Sequence, residues 1–178
     1  ALWGLYRGAV HITFPDVLES MHMALEKVLL EFSDDEKYDK IVSSTLNYLL
    51  KNSQSVSLTA IVSSIVFSHP EKYGRYAFDL FLSVEFFHWD SIMLSDENQL
   101  SWFYGMAGML SKEAAKERFA TLKQKFRHKC LESLCTEMQY SLLKGHSDED
   151  FKLVVKTISS VLDNHYEKAK LLYGEDKK

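Results

Sequence analysis

The stretch VFSHPEKYGRYAFDLF, residues 66–81, gathers a histidine, a glutamate, a lysine, two tyrosines and an aspartate around one proline and one glycine. As chemistry it resembles the debris of an active site; as punctuation it joins two helices. The residue before a proline is pushed out of the α region, so the helix preceding Pro70 must stop near His69. Proline suits the first position of a following helix, and Glu71 then falls in a first turn where negative charge complements the dipole. Tyr73, Ala77, Leu80, Phe81 and Val84 recur at helical spacing and supply a buried face. His69 is therefore a boundary residue, and the stretch reads as punctuation.

The segment upstream, Ser57 to Ser68, carries Leu58, Ile61, Val62, Ile65 and Val66 and no charged side chain. Its β-branched residues suit a strand as well, but its length and its flanking helices favour a helix at the centre of the fold. Before it, Phe14-Pro15 starts a helix to about Phe32, with Val17, Leu18, Met21, Ala24, Leu25, Val28 and Leu29 as an inward apolar stripe. Ser33-Asp-Asp-Glu36 reads as a capping box opening a second helix. Tyr38, Ile41, Val42, Thr45, Leu46 and Leu49 line its inner face, and Asn52-Ser53 ends it.

Downstream, VEFFHWDSIML continues the array to Leu94, and Ser95 to Asn98 reads as another cap. Trp102 to Met109 is expected to form a short helix and a close-packed bend. Ser111 caps a helix from Lys112, with Ala115, Phe119, Leu122 and Phe126 inward. That pattern runs into Leu131, Leu134, Met138 and Leu142, as one long helix or as two with a kink near His128. Gly145 is a C-terminal stop. Ser147 to Asp150 caps the last helix, whose inward set is Phe151, Val154, Val155, Ile158, Leu162, His165, Ala169 and Leu172.

The expectation is an all-α fold, an irregular stack of about seven or eight antiparallel helices, solenoid-like or bundle-like. One helical domain spans residues 1–178, with a short N-terminal segment over 1–13 and a flexible tail over 173–178. The 178 residues are 46% hydrophobic and 26% charged, which marks a globular chain able to bury about 70% of its unfolded surface. The net charge of −4 argues against a dedicated nucleic-acid binder. Cys130 and Cys135, five residues apart within one expected helix, lie roughly 8 Å and about 140° apart, too far for a disulfide. Reduced thiols suit a cytoplasmic setting. No apolar run reaches the length of a membrane span. The opening Ala1-Leu2-Trp3, without an initiator methionine, is expected of a piece of a larger protein.

Two Glu-x-x-His pairs, Glu19/His22 and Glu85/His88, match half of a di-iron carboxylate set. Glu19, however, falls roughly 160° from the centre of the apolar stripe and is expected to face water. There is no H-E-x-x-H, no C-x-x-C, no phosphate-binding glycine loop and no G-x-S-x-G elbow. Gly105 to Gly108 reads as a helix contact or bend. His88 and Asp90, two apart on a helix, point different ways. His165 lies on an apolar face and is expected to be a core histidine bonded to a carbonyl or hydroxyl. Residues 112–129 hold seven Lys or Arg and two acidic residues. Lys123, Lys125, Arg127 and Lys129 there could touch nucleic acid, but a solvated face is the favoured reading. Trp89 and Trp102 suit an interface or the core equally.

PEKYGRYAFDLF…EFFHWD (70–90), KCLESLCTEMQ (129–139) and VLDNHY (161–166) together resemble the helical region downstream of the ATPase in large bacterial STAND-type NTPases, the group that includes antiphage sensors. The similarity covers about half of the chain, mostly at core positions. In that family the catalytic residues lie in a separate P-loop domain, so no functional residue carries over. The resemblance implies a helical sensor, spacer or oligomerisation segment. The expected function is a noncatalytic scaffold, not an enzyme, with no catalytic, cofactor or metal site and a protein or neighbouring domain as partner. The alternatives are a small helical metal protein or enzyme using Glu85 and His88, or nucleic-acid contact through 112–129.

Overall fold

The computed structural model describes residues 2–7, 16–107, 116, 120–140 and 147–173. Among these every regular element is helical, which makes the fold all-α. The helices are α1 (Asp16–Ser33), α2 (Asp39–Asn52), α3 (Val56–Ser68), α4 (Pro70–Tyr73), α5 (Ala77–Phe81), α6 (Val84–Ala107), α7 (Leu131–Tyr140) and α8 (Asp148–Tyr173), with 3-10 turns at Leu2–Arg7, Glu36–Tyr38, Gly74–Tyr76 and Lys125–His128.

The uncharged α3 is the centre, as its sequence requires. Ser57 and every residue from Ala60 to Phe67 are buried, and α1, α2, α4, α5 and the 3-10 turns at 2–7 and 125–128 all pack on it. The stretch 66–81 behaves as punctuation. His69 ends α3, its N–H donating to the Ile65 carbonyl, and Pro70 occupies the first turn of α4. Its polar groups also tie the ends of neighbouring helices. Lys72 Nζ donates to the Ser33 carbonyl at the end of α1 (3.0 Å) and to Asp39 Oδ1 (3.2 Å), while the Tyr73 hydroxyl donates to the same carboxylate. A lysine at a helix C-terminus satisfies a carbonyl that the helix leaves unpaired.

The largest departure concerns α1. Val17, Met21 and Val28, expected inward, are 71%, 64% and 43% exposed, and Leu18 and Met23 are also exposed. The buried positions are instead His22, Glu26, Leu29 and Ser33, at 4-3-4 spacing. Two rows competed for the interior, and the more polar one won because partners await it there. On α3 these are Ser57 and Ser64, and from distant chain an arginine. With the stripe reversed, Glu19 is half-buried rather than turned to water.

Other boundaries moved for local reasons. Ser33 is the last residue of α1, its hydroxyl donating back to the Leu29 carbonyl. The cap is Asp35, which accepts from the Lys37 N–H and opens a 3-10 turn before α2. On α2, Val42, Leu46 and Leu49 are buried as expected, whereas Ile41 is half exposed. Ser95 lies inside a helix rather than at its start, because α6 runs unbroken through it to Ala107. From 120 to 140 the pattern resolves into two pieces, separated by extended backbone at Gln124 and Lys129 around the 3-10 turn, and Leu142 lies outside the described residues. Cys130 consequently precedes α7, while Cys135 lies in it, buried; both are free thiols. Ser147 caps α8 as expected: its hydroxyl accepts from the Asp150 N–H and donates to the Asp150 carboxylate. On α8, Ile158 and Val161 are the buried pair, and Phe151 and Leu162 are exposed. The Phe14-Pro15 start, the Ser111 cap, Ala115, Phe119, the Gly145 stop and the tail from 174 lie outside the described residues, as do the side chains of Trp102 and Leu172.

The N-terminal segment is no appendage. Trp3, Leu5, Tyr6 and Arg7 are almost completely buried, inserted against α1 and α3. Trp3 packs on Phe86 and Trp89 of α6, with ring centroids 4.9 and 6.3 Å away.

Candidate functional site

The ionisable groups that chemistry would need are concentrated where α1, α3, the N-terminal segment and the 125–128 turn meet. Glu26 sits there because α1 turns its polar row inward. One of its oxygens accepts from Arg127 Nη2 at 2.7 Å and the other from the Ser64 hydroxyl of α3. Arg7 Nη1 donates to the Arg127 carbonyl (2.9 Å), and Arg7 Nε donates to the Tyr6 hydroxyl (3.0 Å). Nearby, Asp90 of α6 accepts from the Trp3 indole N–H (2.9 Å) on one oxygen and from the Leu131 N–H at the start of α7 (2.8 Å) on the other. Two arginines and two carboxylates thus balance inside the protein.

Burial dominates the electrostatics of this cluster. It raises the Glu26 carboxyl above its ordinary range, opposed by Arg127, Ser64 and Arg7. It raises Asp90 in the same way, against the Trp3 and Leu131 donors. The Tyr6 hydroxyl is pushed from 10.0 up to about 12 by burial, with the Arg7 charge opposing. Because the folded state holds the Tyr6 proton more tightly than the unfolded chain, its contribution is complete below the ordinary value and is lost as pH rises through about 12. Linkage of roughly 3 kcal/mol is therefore expected to disappear over that alkaline window. Denaturant midpoints measured at pH 9 to 12 should fall steeply for the wild type and less steeply for Tyr6→Phe.

The carboxylate oxygens of this cluster all accept hydrogen bonds from the protein itself, so the cluster fastens elements together and offers no acid to a ligand. Arg127 Nε is buried without a hydrogen-bond partner among the described residues, a defect costing about 1–3 kcal/mol. The sequence match to known proteins adds nothing here. No protein-family model matches the chain, and no curated protein is similar to it.

The residues singled out in the sequence are dispersed. Glu85 is held by Lys168 of α8 (2.7 Å) and the Ser83 hydroxyl (2.6 Å), which keep its carboxyl down at about 2. His88, three residues on, is exposed. His22 is buried, bonded to the Leu18 carbonyl and the Ser57 hydroxyl and not brought to Glu85 or His88. Among the described residues no three His, Cys, Asp or Glu side chains are placed to hold a metal ion. His165 packs edge-on against Phe87 with centroids 5.6 Å apart, but its Nε2 finds neither the carbonyl nor the hydroxyl expected of it among the described residues.

The basic run is broken up too. Arg127 is only 6% exposed and faces Glu26, and Lys129 pairs with Glu137 of α7 at 2.7 Å. Lys123 and Lys125 are exposed. A solvated face therefore describes part of this run only. Its central arginine belongs to the interior.

A second polar arrangement escaped the sequence. His22 Nδ1 lies 2.8 Å from the Leu18 carbonyl, and Nε2 lies 2.8 Å from the Ser57 hydroxyl, which is itself 2.8 Å from the hydroxyl of Ser55. A carbonyl only accepts, so Nδ1 carries the proton and neutral His22 accepts at Nε2 from Ser57. Ser57 has then spent its proton, and Ser55 must donate to it. One backbone carbonyl thereby fixes the direction of the whole chain. No spacing rule links residues 22, 55 and 57, which is why the sequence does not announce it.

Proposed function

We propose that this chain is a noncatalytic α-helical interaction module, a sensor or spacer within a larger protein. The observation that carries the reading is the apolar row that α1 turns to solvent while His22 and Glu26 of the same helix face inward. Val17, Met21, Ala24 and Val28 follow one another at 4-3-4 spacing, the pattern with which one helix receives another, and all four are exposed. The partner this row suits is an amphipathic helix of another protein or of a neighbouring domain of the same chain. No described helix is long and apolar enough to cross a membrane. The resemblance of 70–90, 129–139 and 161–166 to the helical region of STAND-type NTPases supports a cytoplasmic parent engaged in bacterial signalling or defence.

Met21→Asp and Val28→Asp test the reading. Both should leave the stability of the isolated chain within about 0.5 kcal/mol, as surface changes do. A photoreactive residue placed at Met21 of the full-length polypeptide should cross-link to an apolar helix, and one at exposed Glu36 should not. Unfolding of the aspartate variants would return the row to the core. Equal cross-linking from both positions, or none from Met21, would remove the proposed partner.

A further inference from the structure

We propose that Ser55 is an activated nucleophile that takes an acyl group from a small ester, its proton leaving through Ser57 to His22. Ser55 lines a cleft of about 450 Å³ between the end of α2 and the start of α3, shared with Tyr48, Leu49, Asn52, Gln54 and Leu58. It holds the N-cap position of α3, where a serine ordinarily accepts from a backbone N–H of the first turn. Here the side chain makes no cap bond and is committed to the Ser57 hydroxyl instead. The helix forgoes its cap, and a half-buried hydroxyl at the cleft is wired to a buried imidazole. An imidazole oriented through its other nitrogen is the arrangement by which a base activates a hydroxyl.

The step balances without a co-reactant. Ser55 Oγ bonds to the ester carbonyl carbon as its proton moves to Ser57 Oγ and the Ser57 proton moves to His22 Nε2. Collapse breaks the carbon–oxygen bond to the leaving alcohol, and His22 Nε2 returns its proton to Ser57 Oγ as Ser57 Oγ hands its own proton directly to that alkoxide. The products are acyl-Ser55 and the alcohol. The Val56 and Ser57 N–H groups, adjacent in the chain, have no intrahelical acceptor and suit the developing oxyanion. A single acylation per chain goes beyond the interaction reading and is compatible with a module that does not turn over.

The probe is 4-nitrophenyl acetate on the whole chain. The expected result is a burst of one equivalent of 4-nitrophenolate, with one acetyl group mapped by peptide mass spectrometry to Ser55. Ser55→Ala should lose that adduct, and Ser57→Ala should slow its formation about 100-fold at unchanged helicity, the usual scale of proton-transfer assistance. Acetylation scattered over lysines with none at Ser55, or a Ser57→Ala rate equal to wild type, would overturn the proposal. Should Ser57→Ala unfold, the wild-type adduct site and its loss in Ser55→Ala decide alone.

Discussion

Arg127→Ala is expected to destabilise the protein by about 3–5 kcal/mol, because it strands the Glu26 carboxylate in the interior. Glu26 is nearly inaccessible and has only the Ser64 hydroxyl left once the 2.7 Å guanidinium contact is gone. The same change removes Arg127 Nε, which has no partner among the described residues, so part of the loss is recovered. Glu26→Ala should cost a similar amount, leaving a buried arginine unpaired. The informative variant is the double change, Glu26→Leu with Arg127→Met. An apolar replacement of a whole buried pair is commonly neutral or stabilising by about 1–4 kcal/mol. Urea denaturation of the two single alanine variants and their double would give the coupling directly. Single losses below about 1 kcal/mol would mean that the pair is hydrated, as exposed ion pairs are.

Trp3→Ala should be as damaging, at about 3–5 kcal/mol for an aromatic truncated in a packed core. Trp3 is fully buried, contacts Phe86 and Trp89, and satisfies one oxygen of Asp90. At this chain length the melting temperature should drop by roughly 6–20 °C. Trp3→Phe separates the two contributions, keeping most of the ring while losing the indole N–H, for about 1–3 kcal/mol of unsatisfied carboxylate. Calorimetry on both variants would check the order. A truncated Trp3 that melted with the wild type would contradict the insertion of the N-terminal segment.

What the sequence reveals depends on whether the cause is local. α3 is legible because it has no charge to place and a proline to end it. The start of α8 is legible because Ser147 and Asp150 cap one another within a single turn. The inner face of α1 is not, since its apolar row is the better match to a helical stripe by composition. Glu26 turns inward only because Arg127 arrives from 101 residues away and Ser64 from 38. Arg127 itself is hidden among basic neighbours that do face water. The N-terminal segment gave one readable sign, four large apolar residues, Leu2, Trp3, Leu5 and Tyr6, among the first six. The Ser55–Ser57–His22 relay had none, because it depends on a carbonyl and on the relative placement of two helices.

The long reach of these contacts bears on how the protein is made. Trp3 waits for Asp90, 87 residues later, and Arg7 waits for the carbonyl of Arg127, 120 residues later. At ribosomal speeds of about 5–20 residues per second, the nascent chain carries Glu26 for roughly 5–20 s before its counter-ion is translated. Helices α1 to α3 therefore emerge with an unpaired acid on the face they must bury. Closure of the buried cluster waits for Arg127, a step that the first two-thirds of this sequence cannot supply.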